Sequence, residues 1–403
     1  MQNSLRKYFF GTVLLLFVFV HYNFAEISYR LEDFESKGLK SGVGVVNVGG
    51  ENFYKASISP DLTLGPVGLG LDINGYMPFN AGAPYPSELN AVTLRHVSYD
   101  HNKQFGAKWG WLRSVTFGQG LLMNNFNSGA AGTTEFNNEM AGVLGYATFS
   151  PVRVDAMWTA KNVKAARVSY IMEDTVLLGS PIIIGGTYVT DQDGVDNEID
   201  GNQISRAAQD GYGVDVGVPV GGDFLTLFTE YSKLIDHGGG ASIGFRGSFF
   251  EQVDYRAEYR TLGRGFVPGY FNSTYEATSL DLNTDSLSEQ IDGFLISGAM
   301  TFMDGAFKGG LIYEKYDQKD LLTAAVGWQK FQNTVGVINY TVPFQGNGNA
   351  IAQADILYYT GGWMDYVCHI KRVYITSSTF TESWSVGMRV NLNNLFPKVP
   401  FLN

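Results

Sequence analysis

The chain has 403 residues with 28 basic and 39 acidic side chains, a net charge of −11 and one cysteine. The acidic excess argues against nucleic acid as a partner, a lone Cys368 rules out an intrachain disulfide framework, and the length exceeds one ordinary globular core. With 49 Gly, 28 Phe and 23 Tyr, a mean hydropathy near zero is what alternating apolar and polar positions would give.

Arg6 and Lys7 precede an apolar run from Tyr8 to Val20. At 1.5 Å rise per residue that run is too short for a ~30 Å hydrocarbon core, so residues 1–25 are predicted to be a signal peptide cut near Ala25. Removing it leaves 26 basic against 39 acidic residues. No later stretch approaches the ~18 consecutive apolar residues of a helical span. Residues 26–41, with Ile27, Leu31 and Phe34 among charged neighbours, form a short polar lead-in of one or two helical turns.

From Gly42 onward strand patterns follow closely. Val67, Leu69, Leu71 and Ile73 alternate with Gly68, Gly70, Asp72 and Asn74, and Val152, Val154, Ala156 and Trp158 with Arg153, Asp155, Met157 and Thr159. Tyr212, Val214, Val216 and Val218 alternate with Gly213, Asp215 and Gly217. The clearest segment sets Val253, Tyr255, Ala257 and Tyr259 against Asp254, Arg256, Glu258 and Arg260. A period of two means a strand between two environments, and a face of four charges is expected to meet water. Roughly 16 to 20 such strands of about ten residues fit the chain, eighteen being the central value, and that length crosses a bilayer when tilted. Met303–Gly305, Val220–Gly222 and the residues around Gln332 and Asn333 are short turns, whereas 74–90, 119–135, 191–210 and 262–289 are long connections.

The signal peptide, the dyad strands and the unequal connections together resemble bacterial outer-membrane β-barrels of porin size, over nearly the whole mature chain and at the level of architecture. The resemblance implies an all-β, antiparallel up-and-down transmembrane barrel over residues 42–403, lodged in outer-membrane lipid after handling by the barrel-assembly machinery, with a periplasmic lead-in and a homotrimer among its expected assemblies. Such barrels often end in Phe or Trp; here Leu395 and Phe396 are followed by Pro397–Asn403. The implied role is passive diffusion of small hydrophilic solutes or ions, with no cofactor. Two other readings remain: a structural or adhesive barrel plugged by its own loops, and a soluble secreted β-protein.

If apolar faces meet lipid, Arg153, Asp155, Arg167, Arg246, Asp254, Arg256, Glu258, Arg260, Lys308 and Arg389 line the interior, together with Asp215 and Glu314, either tuning the pore or bracing it. The connection after Leu262 carries Phe266, Tyr270, Phe271 and Tyr275 and is too aromatic to stand free in water. It is expected to fold back into the barrel and narrow it, with these rings touching solute, or else to form an outer cap or subunit contact. Asp191, Asp193, Asp196, Glu198 and Asp200 crowd one loop and present either a Ca²⁺ site or a solvated acidic surface; Gly194 falls at the fourth position, unlike an EF-hand. His96 and Ser98 share a strand face, but no metal-protease, redox or phosphate-loop motif is present, and catalysis is not expected.

Overall fold

A computed structural model describes residues 39–48, 51–79, 92–128, 141–177, 180–192, 194–199, 202–206, 208–220, 222–250, 252–273, 275, 289–303, 306–316, 319–331, 333–342, 350–360, 364–374 and 380–390. The signal segment, most of the lead-in and the last thirteen residues lie outside that set. The strands are β1 Leu39–Val48, β2 Glu51–Leu64, β3 Val67–Pro78, β4 Val92–His101, β5 Phe105–Trp111, β6 Val115–Phe117, β7 Met123–Phe126, β8 Ala141–Phe149, β9 Val152–Thr159, β10 Val163–Leu177, β11 Ser180–Asp191 and β12 Val195–Ile199. They continue as β13 Asn202–Arg206, β14 Gln209–Val220, β15 Leu225–Leu234, β16 Gly239–Phe249, β17 Val253–Leu262, β18 Ile291–Phe302, β19 Phe307–Tyr316, β20 Lys319–Phe331, β21 Thr334–Thr341, β22 Ile351–Tyr358, β23 Met364–Tyr374 and β24 Phe380–Val390. Among the described residues no helix is long and apolar enough to cross a membrane.

Twenty of these strands form one sheet, while β6–β7 and β12–β13 are separate two-stranded pieces. Each strand of the large sheet pairs antiparallel with the one before and after it in the chain, β5 passing directly to β8 and β11 to β14. The first strand also meets the last, Gly42–Val45 lying opposite Val386–Arg389. The count exceeds the central expectation of eighteen because strands such as β1 and β21 carry glycine or apolar residues on both faces and alternate weakly. The first strand begins at Leu39, ahead of the expected Gly42.

Connections differ sharply between the two ends of the sheet. At one end lie only 65–66, 102–104, 150–151, 178–179, 221–224, 250–252, 303–306, 332–333 and 359–363. At the other lie the long segments 112–140, 192–208 and 263–290. Since β1 starts and β24 finishes at the short-turn end, both chain termini leave from that side.

Burial is inverted relative to a water-soluble sandwich. Ile243, Tyr259 and Phe294 are cross-strand neighbours on β16, β17 and β18 and lie on the open apolar face, Ile243 being 64 % and Tyr259 51 % exposed. On the opposite face Arg256, Glu258 and Arg260 are only 6, 4 and 3 % exposed. The charged face of β17, expected to meet water, is therefore covered over these three residues. Its cover comes from chain segments at the long-connection end. There Leu112, Leu121, Leu122, Met123, Phe126, Phe266 and Phe271 pack with strand residues Met157, Val163, Val189, Leu234, Leu262 and Ile291 in one apolar cluster.

The register makes a direct prediction. In a Cys368→Ala background, paired substitutions Val43→Cys and Met388→Cys should form a disulfide on mild oxidation, since these residues face each other across β1 and β24. Val43→Cys with Trp384→Cys, displaced along β24, should not.

Candidate functional site

Two segments fold onto the polar face of the sheet. The first follows β5. The Leu112 N–H donates to Ser128 Oγ at 2.9 Å and the Ser128 N–H to the Leu112 carbonyl at 3.0 Å, closing residues 112–128 into a loop with fixed ends. Inside it β6 and β7 form a small hairpin, stiffened where the Asn125 N–H donates to Thr116 Oγ1 at 2.9 Å and the Ser114 N–H to Asn127 Oδ1 at 2.8 Å. At its tip Gly118 and Gly120 have φ of +71° and +88°, in the left-handed region that favours glycine.

The second segment leaves β17 and lies against the first. The Gly269 N–H donates to the Leu121 carbonyl at 2.7 Å, Phe271 N–H to Leu122 at 3.2 Å and Asn124 N–H to Phe271 at 3.0 Å, with Met123 and Phe271 bridged in parallel. Tyr270, Phe271 and Tyr275 form a compact ring cluster with centroids 4.8 to 5.3 Å apart. The Tyr275 hydroxyl donates to Asp191 Oδ2 at 2.7 Å, tying this segment to the end of β11. Phe266, Tyr270, Phe271 and Tyr275 are all buried.

Beneath these segments the sheet presents a charged mosaic. Asp215 on β14 takes both arms of Arg167 from β10, Nη2 donating at 2.9 Å. Glu258 accepts from Arg256 Nη2 at 2.6 Å and from Arg260 Nε at 2.6 Å on its own strand. Arg260 Nη1 continues to Glu314 Oε2 and the Tyr316 hydroxyl, each at 2.7 Å. Gln119 is bonded on three sides: its N–H donates to Glu230 Oε2 at 3.0 Å, its Nε2 to Asp215 Oδ1 at 3.0 Å, and its carbonyl accepts from Arg256 Nη2 at 2.6 Å. The Leu121 N–H reaches the same Glu230 oxygen at 2.9 Å. Charges withdrawn from water persist only when paired and hydrogen-bonded; here opposite signs meet along β17 and across one intervening strand, Arg167 reaching over β11 to Asp215 and Arg260 over β18 to Glu314.

The remaining anticipated residues are spread more widely. Arg153 and Asp155 pair on β9 at 2.7 Å with Arg153 also over the Tyr146 ring, both half-buried. Arg246 lies beside the Phe228 ring, Lys308 is half-buried on β19 and Asp254 is exposed. Arg389 belongs to β24, and its side chain lies outside the description. Of the acidic loop, Asp191 is buried against Tyr275; Asp193 and Asp200 lie outside the described residues, as do the side chains of Asp196 and Glu198 on β12. Among the described residues no group of three or more His, Cys, Asp or Glu is arranged to hold a metal ion. His96 and Ser98 sit with Asp100 in a shallow cavity of about 410 Å³ near the 65–66 turn.

Sequence reasoning missed Glu230, Gln119 and the whole inward course of residues 112–128. It also missed a hydrogen-bonding contact between Asp355 on β22 and His369 Nδ1 on β23. The available signal for Glu230 was a single acid among Thr226, Phe228 and Ser232 on one face of β15, where Phe228 breaks the polar run.

Burial of the polar face is uneven. Residues sharing its register on β14 to β18 are largely buried, as are Ala325, Val335, Val337, Leu357, Asp365 and His369 on β20 to β23, whereas Lys55 and Ser57 on β2, Asn74 and Tyr76 on β3, Lys308 on β19, and Gln353 on β22 remain partly exposed.

Comparison with known proteins gives likenesses of shape only. No family model matches the chain, and no curated protein matches it. Among solved structures it is similar to a mutant porin of Rhodopseudomonas blastica, with 11 % identity over 88 % of this chain and 99 % of that one, at a TM-score of 0.28. The ferric-catecholate import receptor Fiu of E. coli gives 9 % identity over 90 % and 82 % with a TM-score of 0.35, and the outer membrane protein opdK of Pseudomonas aeruginosa 10 % over 87 % and 96 % with 0.34.

The mosaic predicts unequal mutational costs. Arg260→Ala leaves Glu314 without its guanidinium and the buried Glu258 with Arg256 alone, and should cost about 3 kcal/mol. Arg153→Ala breaks a wetter pair and should cost roughly 1 kcal/mol or less. Urea unfolding of the detergent-folded protein, followed by tyrosine and tryptophan fluorescence, measures both.

Proposed function

We propose that the chain is a twenty-stranded barrel closed through β1 and β24, resident in the bacterial outer membrane, that lets small hydrophilic solutes or ions diffuse passively through an interior narrowed on one side. The observation that carries this reading is the inversion of the two faces. A contiguous apolar surface running over most of the strands is far larger than a soluble monomer leaves in water. A strand ladder that returns to its own first strand leaves no unpaired edge, the condition for β-structure in lipid. The short-turn end, from which both termini leave, then faces the periplasm, and the long connections face outward.

Two features favour a channel over a solid plug. Barrels of this strand number enclose more space than their own side chains fill. The covering segments lie on the strands from β10 to β18, and the inward residues of β2, β3, β19 and β22 that remain partly exposed would border the passage. Phe266, Tyr270, Phe271 and Tyr275 brace the constriction from within; their burial gives them a packing role and keeps them from direct solute contact. The fully packed apolar cluster at the long-connection end supports one competing reading, a plugged barrel whose outer loops bind a partner.

Single-channel recording separates the two. The purified mature chain in a planar bilayer should open in stable steps, and deleting residues 264–272 should enlarge them. A folded, inserted barrel that stays silent, and stays silent after the deletion, would overturn the channel. The lipid-facing assignment has its own check: Ile243→Arg should destabilise the membrane-inserted barrel by about 2–4 kcal/mol, as expected for a cation at the bilayer midplane. At a water-exposed site the same change would be close to neutral.

A further inference from the structure

Glu230 occupies a position that no other side chain of the covered wall shares. Its Oε2 accepts two backbone N–H groups of the inward segment, from Gln119 at 3.0 Å and from Leu121 at 2.9 Å, while Oε1 accepts from Ser232 Oγ at 3.2 Å. The two amides converge because Gly118 and Gly120 hold left-handed backbone on either side of Gln119. Such alternation turns successive N–H groups toward one point and makes a cradle for an anion. Here that place is taken by the Glu230 carboxyl of the barrel wall itself, buried to 2 % exposure.

The second segment reaches the wall at this level through the first. Residues 269–271 bond to Leu121, Leu122 and Asn124, directly beyond the cradle. The two segments are thus linked in series: wall carboxylate, glycine cradle, then the aromatic segment. Gly118 makes the fit specific from the other side, since a Cβ there would lie 2.7 Å from Glu230 Oε1 and displace the carboxylate.

We propose that Glu230 is the positioning residue of the constriction, seating both inward segments through the amide cradle at Gln119 and Leu121 and so setting the width of the passage. The consequence for conduction rests on the channel reading above; the seating itself does not. A glutamine at this position keeps the shape and one oxygen for the two N–H groups, its NH₂ facing Ser232 Oγ. An alanine removes the acceptor and leaves both N–H groups without it.

The test reads segment position and conduction separately. In a Cys368→Ala background, the thiol of a Leu122→Cys variant, buried beside the cradle, is labelled with a water-soluble maleimide in the folded, detergent-purified barrel. Adding Glu230→Ala should raise the labelling rate about tenfold or more, the scale of a buried N–H group left without its acceptor, with Glu230→Gln between the two. Should Glu230→Ala fail to fold, Gly118→Ala pushes the Glu230 carboxyl off the cradle without replacing any wall residue, and should give the same acceleration. Gln119→Ala retains both N–H donors and loses only the Nε2 bond to Asp215, so it should label faster than its parent but more slowly than Glu230→Ala. Unchanged protection of the thiol in a folded Glu230→Ala or Gly118→Ala barrel overturns the proposal. Bilayer recording of the same variants then separates the claims. Faster labelling in a barrel that never conducts upholds the seating and sinks the channel. A conducting parent whose variants label no faster sinks the seating alone.

Discussion

The polar face of β10 to β19 carries arginines and carboxylates in a space from which folded chain excludes water, and the rest of the molecule is arranged around neutralising them. Opposite charges pair along β17 and across one intervening strand, and the run from Arg167 through Asp215 and Gln119 to Arg256, Glu258, Arg260 and Glu314 is bonded to backbone as well as to side chains. That mosaic is the floor on which residues 112–128 rest. In turn those residues carry the aromatic segment after β17. Remove the pairing and the floor becomes a set of isolated buried charges, each costing several kcal/mol. Replace it with apolar residues and the backbone groups of Gln119 and Leu121 lose their partners.

Glycine makes that mosaic sterically feasible. Gly185 on β11 sits where a Cβ would fall 2.2 Å from Arg167 Nη2, so any other residue there would push the guanidinium off Asp215. A composition rich in glycine thus reflects large charged side chains lying flat across small neighbours, in addition to strand curvature.

Much of the fold could be read directly from the residues. The alternation along Val253–Leu262 has a simple physical origin, two different surroundings on the two faces, and the same period marks β9, β14 and β24. It fades where the inward face is itself apolar, as at Val335 and Val337 on β21, and strand counting falters there. The nature of the inner surroundings was harder to infer. A row of charges is compatible with water or with a complementary set of charges and amides, and only the position of other chain segments decides between them. Residues 112–128 gave little warning, because Gly118, Gly120, Asn124, Asn125, Asn127 and Ser128 read as a solvated loop while Leu121, Leu122, Met123 and Phe126 follow no regular period. Phe266 to Phe271 was legible as a segment unsuited to water, since its aromatics are dense. Asp191 was read with its acidic neighbours in sequence; its contact is with Tyr275, far along the chain.

The central claim is that the apolar face of the sheet lies in hydrocarbon while the charged face is covered from within. Nitroxide scanning along β17 in the reconstituted Cys368→Ala protein tests this most directly, with oxygen as the lipid-soluble relaxant and a nickel chelate as the water-soluble one. Labels at Tyr255, Ala257 and Tyr259 should be relaxed by oxygen and shielded from nickel, and labels at Glu258 and Arg260 should be shielded from both. Nickel reaching the Tyr259 position as readily as a free label in solution would contradict the account.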